Sequence, residues 1–150
     1  MSIMNQTDSE TTHAITRIGI VGAGAWGTAL ATIVARAGCE GLIWAREEAV
    51  VETINTDHEN KLYLPGIALP PAVKATSRLE EMADKQAILM VVPAQHLGAV
   101  LKELVPHLQP DTCITLCAKG VERESLRFMS EVAADYLAPE RIAVLSGPSF

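Results

Sequence analysis

Apolar positions along the chain fall into short β-branched runs alternating with stretches of helical spacing, and the first such pair organises the rest. Ile18, Ile20 and Val21 form a compact strand-like run, whereas residues 29–37 are alanine-rich with apolar residues at helical intervals. The period therefore changes across the glycines Gly22, Gly24 and Gly27. Further on, residues 41–45 read as a second strand and 47–55 as a helix with an acidic first turn. Residues 55–71, rich in Asn, Pro and Gly, read as a long irregular loop in which His58 is an exposed residue rather than a ligand. A third strand at 73–76 and a short helix at 78–85 lead to residues 87–92, a continuous apolar run ended by Pro93 that has the character of a central strand. Helical spacing resumes over 95–108, a fifth strand covers 111–118, Ser125 caps a helix reaching Leu137, and a sixth strand spans 141–145. Met82 and Met90 fall at core-filling positions, and His96 and His107 at surface or helix-end ones.

Strand and helix alternating to six strands predicts an α/β fold, a doubly wound, mainly parallel sheet in the order 3-2-1-4-5-6 with helices on both faces. This Rossmann-type arrangement gives the glycines a chemical meaning. Gly22 permits a sharp turn, Gly24 lets backbone approach a pyrophosphate, and Gly27 lets the helix pack on the strand, while the helix start turns unpaired N–H groups toward the phosphates. Ligands in such sheets bind at the carboxyl ends of the strands, which here carry the glycine turn, Arg46, Pro93 to Gln95, Lys119-Gly120 and Ser146 to Ser149. An acid at the end of the second strand would select NAD through the ribose hydroxyl. Arg46 stands there instead and suits a 2′-phosphate, so NADP(H) is favoured over NAD(H), although Glu47 and Glu48 beside it offer the opposite contact. Lys119, the one lysine on that edge, is a candidate for an anionic substrate or for the cofactor.

Composition narrows the classes. The 150 residues carry a net charge of −6 and no basic run, which argues against a nucleic-acid surface. Almost half the residues are apolar, 49%, enough for one well-buried domain. Cys39, Cys113 and Cys117 sit in apolar surroundings, so they are expected as reduced structural residues with no metal site, which points to a reducing cytoplasm. Residues 1–16 are polar and aperiodic and are expected as a mobile lead-in to a dinucleotide-binding domain over 17–150. They show no signal peptide, and no apolar run approaches a membrane span.

Together the motifs resemble the bacterial NAD(P)-dependent glycerol-3-phosphate dehydrogenases. The residues carrying the likeness are Gly22-Ala23-Gly24-Ala25-Trp26-Gly27-Thr28, then Asn55, His58, Asn60 and Tyr63-Leu64-Pro65-Gly66, Val92-Pro93-Ala94-Gln95, Lys119-Gly120 with Glu122, and Ser146-Gly147-Pro148-Ser149-Phe150. The resemblance implies reversible reduction of dihydroxyacetone phosphate to sn-glycerol 3-phosphate, a phospholipid precursor. It implies that Ala25 and Trp26 contact the dinucleotide, Arg46 its adenosine ribose end, Lys119 both cofactor and substrate, and Gly147 and Ser149 the substrate. The family's general acid/base lysine belongs to a helical domain expected beyond Phe150, so no catalytic role falls to Lys119 and this chain alone is expected to be inactive. Ala25 stands where the family often has Ser. A homodimer is left open. Related hydroxyacid or 2-dehydropantoate reductases, disfavoured by Tyr63 to Gly66 and by the Ser146 to Phe150 ending, and a non-catalytic dinucleotide sensor are the competing readings.

Overall fold

A computed structural model of the chain describes residues 14–146. Strand β1 (Arg17–Val21) runs into helix α1 (Ala25–Arg36), which returns to β2 (Glu40–Trp44) and α2 (Glu48–Asp57). A two-stranded antiparallel hairpin, β3 (Glu59–Asn60) and β4 (Leu64–Ala68), precedes β5 (Lys74–Thr76) and β6 (Ala87–Met90). Helix α3 (Leu97–Leu104), β7 (Cys113–Leu116), the short α4 (Met129–Ala133) and β8 (Ile142–Val144) complete the described chain. The main sheet has the order β5-β2-β1-β6-β7-β8 with every pairing parallel. Because the hairpin stands apart as a second sheet, this is the expected 3-2-1-4-5-6 order of a doubly wound, Rossmann-type fold.

The alternation of a strand supplies both faces of the core. In β1, Ile20 packs with Ala31, Val34, Ile43 and Ile54 on one side, and Val21 packs with Ile88, Met90, Leu97 and Leu101 on the other. Leu97, Leu101 and Leu104 follow helical spacing and are fully buried, which seats α3 against β6 and β7. Each such side chain contributes on the order of 2 kcal/mol before conformational entropy opposes it. At the far edge, the side-chain amide of Asn55 both accepts from the Ala75 N–H and donates to the Ala75 carbonyl, each at 2.9 Å, tying α2 to β5.

Three local expectations change. The segment 55–71 is partly ordered: Asn55 belongs to α2, which ends on His58 in the left-handed region (φ 51°), and the hairpin follows. The helix expected over 95–108 is α3 flanked by 3-10 turns at Ala94–His96 and Val105–His107, since Pro106 lacks the N–H needed to continue the ladder. Ser125 caps no helix; its hydroxyl donates to Glu122 in a loop closed by a bridge between Val121 and Phe128, and α4 begins only at Met129. There the Glu131 carboxylate accepts the Phe128 N–H at 2.7 Å. Residues 1–13 of the expected lead-in lie outside the described residues, and Thr16 is already tied down, its N–H donating to the Gln86 side chain at 2.9 Å and its carbonyl accepting from the Glu40 N–H at 2.7 Å.

Candidate functional site

The turn between β1 and α1 is shaped by what its glycines allow. Gly22 lies at φ 119°, a region that side chains avoid, and a Cβ there would press on Val91 backbone at 3.0 Å. A Cβ on Gly27 would stand 1.9 Å from the Gly22 carbonyl oxygen, so only glycine lets α1 sit this close to the turn. Gly24 is different: a Cβ there would meet nothing within 4 Å, so its bareness serves no packing contact among the described residues. The helical ladder starts with the Thr28 N–H on the Gly24 carbonyl at 3.0 Å, which leaves the N–H groups of Ala25, Trp26 and Gly27 ahead of it. Open space at Gly24 beside unpaired donors at a helix N-terminus fits a phosphate group.

This turn heads a cleft of about 410 Å³ at the carboxyl ends of β1, β2 and β6. Gly22, Ala23 and Gly24 form one end, Val91, Val92 and Pro93 with His96 and Val100 one wall, and Trp44, Arg46, Glu47 and Tyr63 the other. Trp44 is fixed by its indole N–H donating to the Ser77 carbonyl at 3.0 Å. The Tyr63 hydroxyl donates to the Glu47 carboxylate at 3.2 Å, and that bond, with the negative charge beside it, holds the phenol above its ordinary pKa.

One buried side chain holds the hairpin to the glycine turn. Asn60 is fully buried, and its amide donates to the Ala23 carbonyl and to Thr28 Oγ1, both at 2.8 Å. Its oxygen accepts the Tyr63 N–H at 3.1 Å, while the Thr28 hydroxyl in turn donates to the Gly24 carbonyl at 2.9 Å. The hairpin, the turn and the start of α1 are therefore one hydrogen-bonded unit.

Of the residues singled out from the sequence, Gly22, Gly24, Arg46 and Pro93 border the cleft. Ala25 and the half-exposed Trp26 open α1 at its head without lining it, and Gly27 is buried beneath. Lys119 is exposed beyond the end of β7 and does not border the cleft, and Gly147 and Ser149 lie outside the described residues. The Lys119 loop is nevertheless tied to the cleft wall: Gln95 donates to the Val121 carbonyl at 3.1 Å and accepts the Arg123 N–H at 3.0 Å. Trp44, expected with Trp26 near the cofactor path, lines the cleft, whereas sequence reasoning did not place Tyr63 and His96 on it or Asn60 beneath it. An Asn followed three residues later by Tyr in a loop was the available signal. Among the described residues no group of His, Cys, Asp and Glu could hold a metal ion, the three cysteines are free, and no helix is long and apolar enough to cross a membrane.

Sheet order, glycine turn and cleft at the strand reversal define a Rossmann-type domain with a pocket at its topological switch point. A family model described as the N-terminus of NAD-dependent glycerol-3-phosphate dehydrogenase matches residues 17–150, and the chain belongs to that family. It is 50% identical over 139 residues to a glycerol-3-phosphate dehydrogenase [NAD(P)+] of Parvibaculum lavamentivorans, covering 93% of this chain and 42% of the relative. With the protein of the same name from Caulobacter vibrioides it shares 52% over 134 residues, covering 89% and 40%. The crystal structure of glycerol-3-phosphate dehydrogenase from Coxiella burnetii superimposes with a TM-score of 0.79 at 35% identity, over 89% of this chain and 41% of that one. The chain thus spans about two fifths of the length of these relatives.

Proposed function

We propose that residues 17–150 form the dinucleotide-binding domain of an NAD(P)-dependent glycerol-3-phosphate dehydrogenase, acting on dihydroxyacetone phosphate and sn-glycerol 3-phosphate. The observation that carries this is the open face of Gly24 beside the unpaired N–H groups of α1, at the head of a cleft that Arg46 and Pro93 border. On this reading Gly22, Gly24, Ala25, Trp26 and Gly27 cradle the pyrophosphate through backbone, and Arg46 meets the adenosine ribose, favouring NADP(H) while NAD(H) is also accepted. The relatives' naming for both cofactors supports this range. The nicotinamide, when bound, supplies the hydride-transfer chemistry. Lys119 offers a cation to the phosphorylated substrate from the loop that Gln95 tethers, joined by Gly147 and Ser149. A general acid/base lysine beyond Phe150 completes the reaction, and these residues bind cofactor without turning over alone. The protein works in the cytoplasm.

Fluorescence titration tests the reading, because Trp44 lines the cleft and reports its occupancy. Saturable quenching by NADPH and NADH is expected, with NADPH tighter. Arg46→Asp should weaken NADPH about tenfold more than NADH, since it reverses a charge beside the 2′-phosphate. Equal losses would overturn the Arg46 assignment, and no binding of either by folded protein would overturn the dinucleotide reading.

A further inference from the structure

The ribose end of the cleft carries two opposite charges, Arg46 and Glu47, adjacent in sequence and both on its border. They pull selectivity in opposite directions: a guanidinium favours a 2′-phosphate, whereas a carboxylate accepts a 2′-hydroxyl and repels the phosphate. Which one prevails depends on where the Glu47 carboxylate is held.

Glu47 occupies the N-cap position of α2, where its carboxylate would be stabilised by the helix N–H groups, yet it makes no side-chain capping bond. The Tyr63 hydroxyl takes it instead, reaching over from the hairpin. Tyr63 is itself held through its N–H to Asn60, the residue locked to Ala23 and Thr28. The acceptor that would serve NAD(H) is thereby engaged by a hydroxyl fixed to the glycine turn.

We infer that Tyr63 is a positioning residue for cofactor choice: its hydroxyl draws the Glu47 carboxylate to the hairpin side and leaves Arg46 to meet the ribose 2′ position. The inference rests on the dinucleotide reading above and adds the device that sets its selectivity. Tyr63→Phe isolates it, because the ring and its packing remain and only the hydroxyl is lost.

The experiment is titration of the wild type, Tyr63→Phe, Glu47→Gln and the double variant with NADPH and NADH separately. Tyr63→Phe should lower the NADPH-to-NADH affinity ratio about fivefold, the scale of one exposed charge interaction. With Glu47→Gln already present, Tyr63→Phe should leave the ratio unchanged, since no carboxylate remains to position. A merely structural tyrosine would shift both cofactors alike. An unchanged ratio in Tyr63→Phe, or the same fall in the Glu47→Gln background, would overturn the inference while leaving the dinucleotide site in place. Failure of the wild type to bind either cofactor would overturn the site itself.

Discussion

Asn60→Ala is the substitution whose cost the structure allows to be worked through. The amide makes three hydrogen bonds in a fully buried setting: to the Ala23 carbonyl, to Thr28 Oγ1 and from the Tyr63 N–H. Each neutral bond contributes about 1 kcal/mol net, and a buried acceptor left unpaired costs about 1–3 kcal/mol. The Thr28 hydroxyl also lies 3.5 Å from the Ala23 carbonyl and can turn toward it, although it would then give up its 2.9 Å bond to Gly24. That relief keeps the expected loss at about 2–4 kcal/mol rather than more. In urea unfolding, with m near 2 kcal/mol/M, the midpoint should fall by about 1–2 M at unchanged m. Thr28→Val removes one of the same bonds, so the double variant should lose less than the sum of the singles. A loss under about 1 kcal/mol for Asn60→Ala, or strict additivity with Thr28→Val, would refute the view that this residue joins hairpin and turn.

The two glycines nearest the α1 start should part company. Gly24→Ala, at φ −66° with nothing within 4 Å of the new Cβ, should melt within about 0.5 kcal/mol of wild type yet bind NADPH at least about tenfold more weakly, whereas Gly27→Ala should cost more than about 3 kcal/mol in folding because its Cβ meets Gly22 backbone at 1.9 Å. Undiminished NADPH binding by Gly24→Ala would argue against phosphate contact there. Lys85 gives a pH prediction. Its ammonium is 4% exposed and paired with Glu40 at 3.0 Å and Asp84 at 2.9 Å. Burial, the largest single influence, works to lower its pKa, but the carboxylates of Asp84 and then Glu40 together hold it above the ordinary 10.5. A raised folded-state pKa means that this contribution is complete below the unfolded value and fades as pH rises through the folded one. Denaturation from about pH 8 to about pH 11 should therefore show wild type losing stability relative to Lys85→Met above about pH 10, and a constant difference would refute it.

Where a local pattern had a single physical solution, it could be read from the chain. Residues 18–21 and 87–90 are apolar on both faces because both are covered, which marks them as central parallel strands, and the glycine spacing fits a tight strand-to-helix turn. The strand order then follows from the doubly wound arrangement, with right-handed crossovers placing helices on both faces. The hairpin escaped because β3 is only two residues long and β4 contains Pro65 and Gly66, so no alternation survives in the sequence. Its stability comes from Asn60, whose partners lie 37 and 32 positions away. Tyr63 was missed as part of the cleft wall for the same reason: nothing in a loop composition says which side chain folds back. The helix expected from Ser125 failed because a serine and a glutamate three residues before it satisfy one another, which serves a turn as well as a cap.

The Asn55 amide at β5 bears on something other than binding. It meets the Ala75 N–H and carbonyl together, in the way a further strand's peptide group would, and so occupies outward-facing valences of the sheet's last strand with a side chain that cannot propagate. An edge finished in this manner offers less of a template for a stray strand from another molecule. At the opposite margin of the described sheet Val144, the last residue of β8, and Leu145 just past it are 61% and 44% exposed, so among the described residues the two margins present different surfaces.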